Sequence, residues 1–171
     1  MGVRDKTSGA VGTVLTDLDV PNLFEPALAM SGLTLVSAAA TRITTAYPDP
    51  DLAKVLPGPH TATREFPPND TLAVFAEIYD NELDTPRRVT TTTTVTAEDG
   101  TLVSSTDDER RSEEFEPDGR GERAASGRWR HRATILVPAF GPGRYVLRVE
   151  AEIMPSGTAP TVVRELEFRV R

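Results

Sequence analysis

Two histidines, His60 and His131, are the only imidazoles that could serve as general bases, and there is no cysteine. A thiolate nucleophile, a thiolate metal site and a disulfide framework are therefore excluded. His60 follows a proline-rich stretch; His131 stands between Arg130 and Arg132 at the start of an apolar run. No G-x-S-x-G elbow, no H-E-x-x-H and no glycine-rich phosphate loop accompanies them. A Ser-His-Asp site assembled from scattered residues stays open as the enzymatic alternative. The plainer reading is one loop histidine and one strand-edge histidine, in a protein that is not an enzyme.

Oxygen ligands cluster once, at Asp80, Asn81, Glu82 and Asp84. Loops of this composition suit Ca²⁺, which takes six to eight oxygens. The spacing is not that of an EF-hand, which needs D-x-[DN]-x-[DN]-G and a distal Glu. Asp107, Asp108 and Glu109 form a second acidic run. Solvated turns explain both, so no cofactor is expected and Ca²⁺ at the first loop is the one alternative.

For recognition, the flat aromatic rings count most. Trp129, Tyr47, Tyr79 and Phe115 are candidates for an exposed face. Trp129, flanked by Arg128 and Arg130, is equally suited to stack under an arginine at a sheet edge. Tyr79 and Tyr145 read better as core or corner residues. The candidate binding surface is Trp129 with Asp80, Asn81 and Asp84.

Composition narrows the partner. The chain has 171 residues, 19 Lys and Arg against 26 Asp and Glu, and a net charge of −7. Nucleic-acid binding needs a basic face that displaces counterions, and this balance argues against it. No apolar run reaches the ~20 residues that cross a bilayer, so no membrane insertion is expected. The N-terminal MGVRDKTSGA lacks the apolar segment of a signal peptide. A polar opening and a strand-like end at Phe168–Arg171 suggest a module of something larger.

The elements that must position these residues are strands. In PGRYVLRVEAEI, residues 142 to 153, Tyr145, Leu147, Val149, Ala151 and Ile153 share one face. Val146, Arg148, Glu150 and Glu152 share the other, a period of two with one buried face. Thr71 to Tyr79 is apolar on both faces and reads as an interior strand. Arg88 to Ala97 is a threonine-rich strand, Asp99-Gly100 a tight turn, and Thr101 to Thr106 the return. Residues 80 to 87 read as a polar hairpin loop.

Further strands are expected at Gly12 to Val20, with Val14, Leu18 and Val20 inward; at Ser31 to Ala38; at Trp129 to Val137, with His131 inward; and at Thr161 to Val170. Leu23 and Phe24 lie in a connection suited to fold back over the core. Residues 1 to 10 read as a flexible tail and 11 to 171 as one domain. Six prolines in residues 47 to 70 exclude a regular strand or long helix there and indicate an ordered crossover. Residues 107 to 127 read as a charged, solvated excursion.

About seven to nine strands without a convincing helix predict an all-β protein, an antiparallel immunoglobulin-like β-sandwich. Phe140-Gly-Pro-Gly-Arg-Tyr145 is similar to the corner before strand F of immunoglobulin-like domains, where a tyrosine hydroxyl anchors the turn.

GTVLTDLDVPNL, LAMSGLTLVSA, PDPDL with REFPPNDTLAVFAEIYDN, and PGRYVLRVEA carry a family resemblance over residues 11 to 170. On them the chain resembles the C-terminal region of bacterial proteins with a von Willebrand factor A-related domain, common in Acidobacteria. The resemblance implies a β-sandwich appended to an adhesion-type domain, in an exported (periplasmic or secreted) protein. The D-x-S-x-S metal motif of the A-type domain is absent here, so no metal residue carries over. The resulting expectation is a non-enzymatic accessory module whose partner is a protein or a neighbouring domain of the same parent chain. A carbohydrate- or protein-recognition module using the end loops is the alternative.

Overall fold

The computed structural model describes residues 2–13, 15, 17, 19–39, 54, 56, 60–82, 86–117, 126–154 and 159–171. Alternation dictates the longest strand, β12 (Gly143–Met154), in which Tyr145, Leu147, Val149, Ala151 and Ile153 are all buried. Around it lie β13 (Thr161–Val170), β8 (Arg88–Ala97), β9 (Leu102–Arg111) and β6 (Glu65–Phe66). They form a five-stranded sheet in the order β6-β13-β12-β8-β9, with β12 in the middle. All its pairs are antiparallel except β6 with β13, which is parallel.

The facing sheet is built on β7 (Thr71–Asp80) and contains β11 (Gly127–Leu136), β10 (Glu116–Pro117), β4 (Thr34–Ser37), β5 (His60–Thr61) and β3 (Leu28–Met30). Its order is β10-β11-β7-β4-β5, with β3 also paired to β7. β7 is interior, as its apolar content requires. Leu72, Val74, Ala76 and Ile78 enter the main core, while Phe75 packs on the other face with Val36 and Leu56. The described residues form an all-β sandwich whose core lies between these two sheets.

Local chemistry fixes the corners. Tyr145 donates its hydroxyl to the Gly141 carbonyl at 2.6 Å, the anchor expected of the corner. Its ring stacks on Phe168 at 5.5 Å and leans on Phe140 at 5.2 Å. Gly100 takes φ +86° in the β8–β9 turn, a conformation open to glycine at little cost. Asp70, almost fully buried, accepts from Ser37 Oγ at 2.6 Å, from Thr71 N at 2.8 Å and from Ala39 N at 3.1 Å. It thereby ties the end of β4 to the start of β7.

Several expectations change. Residues 80 to 87 do not close a hairpin. β7 and β8 belong to different sheets, so this loop carries the chain across the sandwich. The charged stretch expected over residues 107 to 127 is not a free excursion in its first part, because Asp107–Arg111 completes β9 and Ser112–Glu114 is a 3-10 turn; residues 118 to 125 lie outside the described residues. Phe115, a candidate exposed ring, is buried in the core. The first ten residues, read as a tail, include β1 (Gly2–Arg4), which pairs with β2 (Val11–Thr13) in a separate two-stranded sheet. The strand expected over Gly12 to Val20 ends at Thr13; Leu15 and Val20 are exposed, and Val14 and Leu18 lie outside the described residues. Of the crossover expected over residues 47 to 70, residues 47 to 59 other than Lys54 and Leu56 also lie outside them, and the rest carries the two-residue strands β5 and β6.

Candidate functional site

The candidate surface of Trp129, Asp80, Asn81 and Asp84 separates into different roles. Asp80 ends β7 fully buried, and its carboxylate takes Arg87 Nε at 3.0 Å and a second, shorter contact from Arg87 Nη2. That hydrogen bonding raises the Arg87 pKa. Asp80 therefore clasps the crossing loop instead of facing a ligand. Asn81 donates its amide to the carbonyls of Pro26 at 2.7 Å and Leu23 at 2.9 Å. It holds the folded-back connection, from which Phe24 meets Tyr79 edge-on at 5.8 Å. Asp84 and Tyr47 lie outside the described residues. Among the described residues, no group of three or more His, Asp or Glu is arranged to hold a metal ion.

Trp129 has the setting of a contact residue. Beyond Arg128, β11 has no described partner on the side where β10 ends, and β9 is the outer strand of the facing sheet. The two free edges meet at a seam. Pairing places Asp108 opposite Thr91 and Arg110 opposite Val89, both buried, so these two β9 side chains lean inward toward β11. Arg110 lies over the Trp129 ring at 4.0 Å from its centroid, a cation–π contact. The stacking arginine comes from the other sheet and is neither of the two that flank Trp129 in sequence.

A cavity of about 500 Å³ opens at this seam, lined by Arg110, Arg128, Trp129, Arg130 and Arg132, and by the carboxylates of Asp108, Glu114 and Glu116. Four arginines and three carboxylates line it, and a fourth carboxylate, Glu77, stands 3.7 Å from both Arg128 and Arg130, so the charges there are balanced. Glu116 meets Arg130 Nη1 at 3.2 Å, and Glu114 meets Arg110 Nη1 at 3.1 Å. The Nε atoms of Arg110, Arg128 and Arg130 and the Trp129 indole nitrogen are buried without a hydrogen-bond partner in the protein. Every one of these unmet groups is a donor.

Next to the seam, His131 is enclosed in the core at 1% exposure. Its Nε2 lies 2.8 Å from Thr93 Oγ1, and its Nδ1 lies 3.9 Å from Asp108 Oδ2. Burial lowers its pKa; Asp108 opposes that shift and Arg110 adds to it. A hydroxyl, an imidazole and a carboxylate are thus in line. Thr93 and His131 are both buried, and neither lines the seam cavity. His60 lies in β5, three strand spacings from β11, roughly 14 Å away. A second groove, of about 490 Å³, lies by the β8–β9 turn against Arg144, Val146 and Arg169.

The described residues form a β-sandwich domain with an arginine–tryptophan seam. No family model matches the chain, and no curated protein matches it by sequence. Among solved structures it is similar to the C-terminal domain of wzt, with a TM-score of 0.48 and 11% identity over 88% of this chain and 82% of that one. It is similar to beta-glucuronidase 2 of Bacteroides uniformis with a TM-score of 0.42 and 12% identity, covering 80% of this chain and 13% of the enzyme. A family 123 glycoside hydrolase from Clostridium perfringens gives 0.41 and 12%, covering 85% of this chain and 27% of the hydrolase.

Proposed function

We propose that the chain is a non-enzymatic interaction module that docks a protein partner, or a neighbouring domain of its own parent chain, through the seam between β9 and β11. The observation that carries this reading is Trp129, half-buried at the seam between the sheets, capped by Arg110 and flanked by Arg128 and Arg130, which are held by Glu77 and Glu116. Tryptophan and arginine are the residue types that most often dominate binding energy at protein interfaces. Carbohydrate recognition fits less well. A sugar stacks on a free aromatic face, whereas one face of Trp129 meets Arg110 and the side chain also packs against the core. We read the Thr93–His131–Asp108 line as a bridge between sheets, because a hydrolytic nucleophile needs access to its substrate. The resemblance to the C-terminal region of von Willebrand factor A-related proteins supports an accessory role in an exported bacterial protein.

The test immobilises the full chain and compares partner capture by wild type, by Arg128→Glu/Arg130→Glu, and by Val146→Glu in the second groove. Capture lost only in the seam variant supports the reading. Capture indifferent to the seam, or turnover of ester or glycoside substrates abolished by His131→Gln, overturns it.

A further inference from the structure

We infer that the second groove, beside the β8–β9 turn, binds the phosphate monoester of a small molecule: the phosphate bridges Arg144 and Arg169, and the organic body lies against Val146. The groove is separate from the seam between β9 and β11, and the inference stands independently of any docking there.

Strand register builds the site. Arg144 and Arg169 are direct partners across β12 and β13. Their neighbours Tyr145 and Phe168 are buried, so alternation sets both arginines on the solvent face, where they are exposed. In such a pair the Cβ atoms are about 4.5–5.5 Å apart, and like charges repel. Glu98 and Glu65 flank the pair in the same row: Glu98 N donates to the Arg144 carbonyl at 3.1 Å, and Glu65 is the register partner of Arg169. Neither carboxylate relieves the repulsion. Glu65 is taken by Arg171, and among the described residues neither Arg144 nor Arg169 has an ion pair or a side-chain hydrogen bond.

The groove, of about 490 Å³, is lined by these two arginines, by Arg64, by Glu98 and Glu167, and by the apolar side chain of Val146. Arg64 is already committed, donating Nη1 to the carbonyls of Thr61 at 3.2 Å and Thr63 at 3.1 Å. With charges of both signs present, selection comes from the placing of the two open guanidinium groups side by side. Each offers a planar fork of donors. A carboxylate has two oxygens in one plane and fills one fork. A phosphate monoester carries roughly two negative charges and three terminal oxygens, and so meets both. It converts a repulsive pair into a bridged one without disturbing the core. The volume suits a small ligand, and Val146, on the same face as Arg144, gives its body an apolar floor.

The experiment titrates the full chain with phenyl phosphate, inorganic phosphate and benzoate at about pH 7.5 and constant ionic strength, with chloride as the balancing salt, and follows backbone amide resonances. Phenyl phosphate is expected to give saturable shifts centred on residues 144 to 146 and 169, with an affinity at least tenfold above benzoate and inorganic phosphate. Arg144→Gln and Arg169→Gln are each expected to weaken it at least tenfold. Because neither side chain holds another part of the protein, both variants are expected to melt no lower than wild type without ligand. Should the variants fail to fold, the wild-type shifts still locate the site. No saturable shift, shifts centred elsewhere, or unchanged affinity in both variants would overturn the site. Benzoate binding as tightly would overturn the phosphate chemistry, and inorganic phosphate binding as tightly would overturn the ester. Lower melting temperatures in both variants would assign the arginines to the fold and contradict the proposal.

Discussion

Thr93 and His131 join the two sheets through the middle of the core, Oγ1 to Nε2 at 2.8 Å, in a place where apolar side chains would otherwise meet. A buried pair of this kind is stabilising only while both partners are present. Thr93→Val preserves shape and strands the imidazole. The expected loss is about 1–3 kcal/mol, read as a lower midpoint in urea unfolding with an unchanged slope.

The same imidazole makes stability depend on pH. Burial lowers the His131 pKa below its ordinary 6.5, so the unfolded chain binds the proton more readily than the folded one. The stability due to neutral His131 is fully present above about pH 6.5. It declines as pH falls through that value, by at most about 1.4 kcal/mol per pH unit, until the folded-state pKa is passed. Asp108 and Arg110, which face the ring from β9, act on it in opposite directions. Unfolding free energies at pH 8 and pH 5.5 are expected to differ more in wild type than in His131→Leu.

Arg87 shields Asp80, the fully buried carboxylate that ends β7. Arg87→Ala leaves Asp80 buried and unpaired and is expected to cost about 3–5 kcal/mol. Asp80→Asn/Arg87→Ala together should cost less than Arg87→Ala alone. That order in denaturant melts separates a stranded charge from a simple loss of contact.

Two turn residues give smaller, cleaner effects. Tyr145→Phe removes only the bond to the Gly141 carbonyl and should cost about 0.5–1.5 kcal/mol. Gly100→Ala meets no atom within 4 Å but must hold φ +86°, so its cost of about 1 kcal/mol is backbone strain alone. Calorimetric melting temperatures check both.

Much of this fold was legible where a local pattern and tertiary burial agree. The faces of β12 follow the alternation from Tyr145 to Ile153, and Asp99-Gly100 makes the turn its composition implies. His131 sits on the inward face of its strand. Sheet membership was not legible, because β7 and β8 are neighbours in sequence but lie in opposite layers. Charge content misled at Asp107–Arg111: an outer strand tolerates acidic and basic side chains, which also keep its edge from pairing with other chains. At the site, Trp129 was visible by its type. Arg110, nineteen positions earlier, was not, since only the apposition of β9 and β11 brings it over the ring. Asp80 reads as a loop ligand until Arg87, seven residues on, is seen to fold back onto it.

The docking claim is tested most directly by photo-crosslinking from the seam in the presence of the captured partner. A benzophenone amino acid at position 132, on the rim of the seam cavity, is compared with one at position 146, in the second groove. Partner adducts are expected from position 132, suppressed by Arg128→Glu/Arg130→Glu, and none from position 146. Adducts from position 146 alone would contradict it.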